Sequence, residues 1–333
     1  MKKVDLHSHV LPDTVLDLME QATDPELYKA KIVRRDGKRY YSRGRNQFEL
    51  EPEYHSGEGK VEKMDRMKID ISYISTGPQA FCYWQKEQDA ARTSRAVNEG
   101  IAKMVAERPD RLRGMASVPM QHPDLAVAEL EHAVKTYGFR ALEIATSIAG
   151  EELASPRFRP ILRRAQELDV SIFTHPENIG ATGRLDCYYL TNLIGNPLDT
   201  TIMVANLMFS GALDELKDLR VLLPHAGGFT AADIGRFQWG HQVREEPKAL
   251  TRTPPLSLLR RFWFDALAHN PKAVRFLIEQ VGADRVVLGT DDPFDMGDLH
   301  PVDNLEKVPG LTDAERERIW WKNAEEFLGG GPV

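Results

Sequence analysis

The sequence predicts an α/β protein, a (β/α)8 or TIM barrel with a small insertion after its first strand, and three observations carry that expectation. Short hydrophobic runs recur along the chain with helical patterns between them, the order expected of βα units around a parallel sheet. Several of those runs end in a histidine or an aspartate: Val4-Asp-Leu-His-Ser-His9, Val170-Ser-Ile-Phe-Thr-His175, Val221-Leu-Leu-Pro-His225 and Val286-Val-Leu-Gly-Thr-Asp291. The carboxyl ends of barrel strands are where this fold builds its active sites. The length of 333 residues suits one barrel plus an insertion, so 1–333 reads as a single domain.

The elements follow in order. The first strand, Val4 to His9, gives way to an irregular insertion over about residues 12–60, with Pro, Gly and many charges and a short strand at Lys38-Arg-Tyr-Tyr41. A helical pattern from Lys60 to Met67 leads into a second strand, Ile69 to Thr76. A long helix, Glu87 to Glu107, ends at Arg108-Pro109-Asp110, and Arg113 to Val118 is the third strand. Leu125, Val127, Leu130 and Val134 give the next segment, Pro123 to Thr136, its helical spacing. Gly138 to Ile144 is the fourth strand, Phe158 to Leu168 a helix, and Val170 to His175 the fifth strand. The stretch from Glu177 to Asn196, with Gly180 and Gly183, reads as a functional loop with a short helix. A helix from Leu198 to Ser210 precedes the sixth strand, Arg220 to His225. Arg261 to Asp265 is the seventh strand, Arg285 to Asp291 the eighth, and Asp313 to Leu328 the terminal helix.

Composition narrows the function. The 43 basic and 50 acidic residues leave a net charge of −7, which argues against nucleic acid or an anionic membrane as the partner. The basic stretch Lys29 to Arg45 reads as a solvated surface of the insertion rather than a rim that steers anions. No apolar run is long enough to span a bilayer, and Met1-Lys2-Lys3 lacks the apolar core of a signal peptide. Cys82 and Cys187 make neither a disulfide framework nor a Cys-x-x-Cys pair. The expectation is a soluble cytoplasmic protein.

The strand ends carry the chemistry. Residues two apart in a strand share a face, so His7 and His9 can grip one ion together. In a closed barrel His175, His225 and Asp291 converge on the same mouth. Histidines and a carboxylate around one ion, with a position left open, describe a catalytic metal site and suit zinc, with manganese or cobalt as alternatives. The fourth strand ends with Glu143 and no lysine, which argues against a carbamylated-lysine bridge and for a single metal. A structural reading of Asp291 as a helix cap, or of the whole chain as a metal-free binding barrel, requires these filled positions to be coincidental.

These residues resemble the amidohydrolase superfamily, in the branch of aminocarboxymuconate-semialdehyde and aromatic-acid decarboxylases. The similarity runs through Val4 to His9, Glu62-Lys-Met-Asp-Arg-Met-Lys-Ile-Asp70, Val118-Pro119 and Thr174-His-Pro176. It continues through Pro224-His-Ala-Gly-Gly228, Ile234-Gly-Arg236, Val287 to Phe294 and Asn323-Ala324. The resemblance implies that His7, His9, His175 and Asp291 hold the metal, with Asp292 in a supporting role. It assigns His225 to a metal-bound water, and His225 and Asp291 to catalysis. It also implies that Arg236 reaches a neighbouring subunit's site and binds the substrate carboxylate, which makes the working unit a homodimer or larger. Guanidinium suits bidentate carboxylate capture; the plainer reading of Arg236 is a surface ion pair.

Two departures bear on substrate. Where the muconate-semialdehyde enzymes place a second carboxylate-binding arginine, this chain reads Asn46-Gln47-Phe48-Glu49, and Glu49 would repel a dicarboxylate. Tyr188 stands where those enzymes carry tryptophan, and Phe81, Tyr83 and Trp84 offer an aromatic wall for a planar substrate. The expected activity is non-oxidative decarboxylation of a small aromatic or unsaturated carboxylic acid. The alternative on the same site is hydrolysis or hydration, at a C–C bond, lactone or unsaturated acid, by a metal-bound hydroxide.

Overall fold

A computed structural model describes residues 1–44, 46–177, 183–331 and 333. Gly180 of the loop after the fifth strand and Arg45 of the basic stretch lie outside the described residues. β1 (Val4–Val10) is buried along its whole length, as a strand covered on both faces must be. After it come α1 (Asp13–Gln21), then β2 (Lys31–Arg35), β3 (Lys38–Arg43) and β4 (Asn46–Glu49), which pair antiparallel as a separate sheet. Asp36 and Gly37, both at positive φ (50° and 79°), make the two-residue turn between β2 and β3. Such turns match the twist of the strands they join.

The parallel strands then alternate with helices. In order they are α2 (Gly57–Met67), β5 (Ile71–Thr76), α3 (Glu87–Glu107), β6 (Leu112–Gly114), α4 (Pro123–Tyr137) and β7 (Ala141–Ala145). The second half runs α5 (Arg159–Glu167), β8 (Ser171–His175), α6 (Asn196–Phe209), β9 (Val221–Leu223), α7 (Thr230–Val243), β10 (Phe262–Asp265), α8 (Pro271–Val281) and β11 (Val286–Val287). β1, β5 and β6 form one parallel sheet, and β7 to β11 a second, ordered as in the sequence. The two meet at both edges. Asp5 and Ser8 of β1 bridge to Leu288 and Asp292 just past β11, and Ala116 just past β6 bridges to Leu142 of β7.

Two apolar clusters follow from this layout. The inner one collects Leu6, Tyr73, Met115, Ala141, Phe173, Leu222, Trp263 and Val287, one from each strand or the residues just past it, and Phe327, Leu328 and Val333 join it. The larger one packs the outward faces of the strands against the helices. β1 changes faces along its length. Val4 and Leu6 belong to the inner cluster, and the register with β5 shifts between Asp5 and Ser8. A bulge of this kind re-aims the side chains that follow it, here His7 and His9.

The sixth and eighth strands are shorter than the sequence suggests: regular pairing ends at Leu223 and Val287, and only isolated bridges at Leu288 and Asp292 continue the eighth beside β1. His225 lies beyond β9 at φ 53°, and Asp291 beyond β11 at φ 57°. The terminal segment is helical from Asp313, though a wider turn over Arg318–Lys322 separates Asp313–Glu317 from Asn323–Phe327. Helices α7 and α8 are additions to what the sequence reading supplies. None of the described helices is long and apolar enough to cross a membrane.

Candidate active site

The ends of β1, β8, β9 and β11 bring His7, His9, His175, His225 and Asp291 together. Ring centroids lie 5.0 Å apart for His7 and His9, 4.8 Å for His9 and His175, and 5.4 Å for His175 and His225. One ligating atom each from His7, His175, His225 and Asp291 fall within 4.8 Å of one another. His9 Nε2 joins them 3.3 Å from Asp291 Oδ1, and His7 Nε2 stands 3.2 Å from the same oxygen.

Three of the rings are locked from behind. His7 Nδ1 donates to Asp265 Oδ2 at 2.6 Å, His9 Nδ1 to the Thr76 carbonyl at 3.2 Å, and His175 Nδ1 to the Pro176 carbonyl at 2.9 Å. Each acceptor can only accept, so each Nδ1 carries the hydrogen and each Nε2 keeps its lone pair in the neutral ring. Those three Nε2 atoms and Asp291 Oδ1 are buried and have no hydrogen-bond partner. Inward-facing, unpaired lone pairs of this kind, three of them on rings fixed by a second hydrogen bond, fit a divalent ion. His225 differs: its Nε2 contacts Asp291 Oδ2 at 3.4 Å, and its side chain is partly open to a cavity.

The electrostatics separate His7, which two carboxylates hold in the charged form that a divalent ion would replace by displacing the Nε2 hydrogen, from the neutral His9 and His175. Burial holds His9 down at about 4 and His175 at about 3, so both rings are neutral at pH 7. Burial also opposes charge on His7, but the Asp291 and Asp265 carboxylates outweigh it and raise His7 to about 10. Burial alone would raise Asp291; the His7 charge and the neighbouring His175 and His225 rings hold it well below the usual carboxylate range. Glu143 is fully buried 3.5 Å from His9 Nδ1, and burial pushes its carboxyl well above its ordinary value.

Two cavities flank the cluster. One, of about 670 Å³, is lined by His175 and Asp291 together with Asn46, Gln47, Phe48 and Glu49 of β4. Tyr54, Phe294, Tyr189 and the carboxylates Glu51, Glu53, Glu177 and Asp295 complete much of that wall. The other, of about 430 Å³, borders His225 and is largely apolar, with Leu267, Phe229 and Phe276 among its walls. A chain of aromatic rings ties the β2–β4 sheet to the cluster. Tyr41 stacks on Phe48, Phe48 on Tyr54, both at 5.2 Å, and Tyr54 meets Phe294, which lies 5.2 Å from His9.

The structure corrects the substrate-contact residues expected from sequence. Phe81 is buried in the outer core, stacked on Tyr83 at 5.4 Å, and does not line either cavity. Trp84 turns toward the segment after α1, donating from Nε1 to the Glu26 and Leu27 carbonyls, between Lys29 and Arg43. Tyr188 is 88% exposed; the next residue, Tyr189, lines the cavity in its place. A loop without regular periodicity gives no means of telling which of two adjacent tyrosines points inward. Arg236 lies on the exposed face of α7 and borders neither cavity. Asp265, which sequence reasoning leaves as a mere strand terminus, is an integral part of the cluster. Its signal was the same as that of its neighbours: a polar side chain closing an apolar run.

The family model for amidohydrolases matches residues 4–330, and the chain belongs to that family. Its similarity within the family is to decarboxylases. It is 31% identical to the 2-amino-3-carboxymuconate-6-semialdehyde decarboxylase of Dictyostelium discoideum, over 99% of this chain and 92% of that one. It is 27% identical to the γ-resorcylate decarboxylase of Polaromonas sp. (strain JS666 / ATCC BAA-500), over 81% of this chain and 86% of the relative. In fold it is similar to a dihydroxybenzoic acid decarboxylase from Polaromonas sp. JS666, solved with manganese and the inhibitor 2-nitroresorcinol. The TM-score is 0.77 at 23% identity, covering 100% of this chain and 98% of that one.

Proposed function

We propose that this chain is a metal-dependent, non-oxidative decarboxylase of small aromatic or unsaturated carboxylic acids, a carbon–carbon lyase of the amidohydrolase family. The observation that carries this reading is the set of four inward, unpartnered donors, His7 Nε2, His9 Nε2, His175 Nε2 and Asp291 Oδ1. The edge-to-edge pairing of eight parallel strands supports a closed (β/α)8 barrel, a single domain over 1–333 with its insertion at about 12–60. The decarboxylase relatives place this lyase reading ahead of hydrolysis or hydration.

We assign His7, His9, His175 and Asp291 as ligands of one divalent ion. Nitrogen and oxygen donors in this number suit zinc, and also manganese or cobalt. Bound there, the ion would act as a Lewis acid on a substrate oxygen near the carboxylate-bearing carbon and so stabilise the charge left when CO2 departs. The remaining work falls to the chain. As the C–C bond to the carboxylate breaks, its electron pair stays on the ring or alkene carbon, which must receive a proton. Asp291 Oδ2, on the larger cavity, and His225 Nε2, on the smaller, are 3.4 Å apart and so placed to hold and pass that proton. Phe48, Tyr54 and Phe294 offer a planar substrate an apolar surface on one side.

The wall also selects substrate. Glu49, Glu51, Glu53, Glu177 and Asp295 disfavour a second carboxylate, which points to an aromatic monocarboxylate rather than a dicarboxylate. Arg236 shares the exposed face of α7 with Trp239 and Val243, which supports a role across a homodimer, binding the partner's substrate. The free thiols Cys82 and Cys187 support a cytoplasmic location.

The test is CO2 release from zinc-loaded protein given a panel of hydroxylated benzoates and muconate-type acids. Release that disappears with chelator and returns with zinc is the expected result. Consumption of a lactone or ring-cleavage product without CO2 would move the same residues to a hydrolase.

A further inference from the structure

One carboxylate ties together two parts of the centre that arrive from different strands. Asp265, at the end of β10, is fully buried. Its Oδ2 accepts from His7 Nδ1 at 2.6 Å and from the His225 backbone N–H at 3.0 Å. Its Oδ1 accepts from the backbone N–H groups of Ala226 at 2.7 Å and Leu267 at 3.1 Å. A carboxylate has about four acceptor positions, and all are used. The turn it holds is unusual: His225 and Ala226 sit at φ 53° and 56°, a region that non-glycine residues seldom occupy. Gly227 and Gly228 follow, where a Cβ would strike the Phe264 ring at 2.5 Å and the Pro197 carbonyl at 2.2 Å. The turn is therefore confined from outside and hydrogen-bonded from within.

We infer that Asp265 is a positioning residue that sets the metal ligand His7 and the proton carrier His225 at once. Toward His7 it fixes the Nδ1–H tautomer, leaving Nε2 to the ion. Toward His225 it clamps the main-chain turn that aims Nε2 at Asp291. Neither effect requires Asp265 to touch substrate. The inference rests on the metal-centre reading above, and its consequence is that one substitution degrades two functions carried by separate strands.

The experiment compares zinc affinity, by chelator competition, with imidazole ¹⁵N shifts in zinc-loaded wild-type and Asp265→Asn proteins, with Tm recorded for each. Asn offers one acceptor and one donor where two acceptors are needed. The expected result is a loss of zinc affinity of roughly 10–100-fold, together with altered His7 and His225 ring signals. A lower Tm with unchanged zinc affinity and unchanged ring signals would reduce Asp265 to a packing role and overturn the inference. Wild-type protein that takes up no zinc would overturn the metal-centre reading and this inference with it. Should Asp265→Asn fail to fold, the wild type still decides: a zinc-loaded His7 ring protonated on Nε2 instead of Nδ1 overturns the proposal. Adding Ala226→Gly to Asp265→Asn relaxes the turn alone. It is expected to restore the His225 signals while zinc affinity stays low; recovery of zinc affinity as well would overturn the His7 half.

Discussion

His225 and Asp291 both occupy the left-handed region, beyond the last paired residues of the strands that feed them. The sequence could name these residues, since a lone polar side chain closing an apolar run is legible without coordinates. It could not divide their roles, which depend on which nitrogen of each ring is already engaged. His225 is set apart because its Nε2 meets Asp291 Oδ2 while the Nε2 atoms of His7, His9 and His175 face inward unpaired. His225→Ala is therefore expected to retain the metal and lose turnover by about 10²–10⁴-fold, the usual contribution of a placed acid or base. His175→Ala should lose the metal itself. Elemental analysis after gel filtration, run beside a CO2 assay, separates the two; metal loss in His225→Ala would make it a ligand.

At the scale of elements, the strands were more legible than the helices that separate them late in the chain. α7 carries Gly235 and Gly240 in its interior and has weak amphipathic character, so neither propensity nor periodicity marks it. α8 is the reverse case: an Asn270 cap, Pro271 in the first turn and buried Val274, Leu277, Ile278 and Val281 form a complete helix signal. A reading led by strand ends passes over it. Within the first insertion only β3 was evident, although Asp36-Gly37 marks the turn that pairs it with β2. The α2 helix docks through a contact no pattern foretells: fully buried Lys60 donates to Asp292 Oδ2 at 2.6 Å and to the His9 carbonyl at 2.9 Å. The terminal helix is legible in detail, because Thr312 and Glu315 form a reciprocal capping box. The Arg275 guanidinium beside Glu315 holds its carboxyl down at about 2, below its ordinary 4.5. A depressed carboxylate stabilises the fold fully above its unfolded value, and that stability is lost as pH falls from about 4.5 through 2. Glu315→Gln should cost about 1–2 kcal/mol near pH 7 and flatten the acid limb of stability. Urea denaturation at a series of pH values measures both; an identical limb in the variant would refute the coupling.

At the scale of the molecule, the overall plan was readable because eight strands in sequence order leave few alternative arrangements. A residue that serves a second copy of a chain leaves no mark in one chain's own geometry. Arg236 illustrates this. It is expected from the resemblance in sequence to bind a substrate carboxylate, yet it borders neither cavity of its own chain. Arg236→Ala is expected to raise KM by roughly 10-fold or more, the loss of a charge-assisted pair, without changing zinc content. Kinetics on an identified substrate, together with sedimentation to establish a dimer, check this. Unchanged KM would return Arg236 to an ordinary surface role.

The β2–β4 sheet supplies Asn46, Gln47, Phe48 and Glu49 to the larger cavity, but it pairs with none of the parallel strands. One wall of that cavity and the strand ends that carry the histidines thus come from separate pieces of chain. Substitutions in Asn46–Glu49 are therefore expected to change which acid binds while the histidine cluster keeps its own hydrogen bonds, which binding of a panel of benzoates to wild type and Glu49→Gln checks.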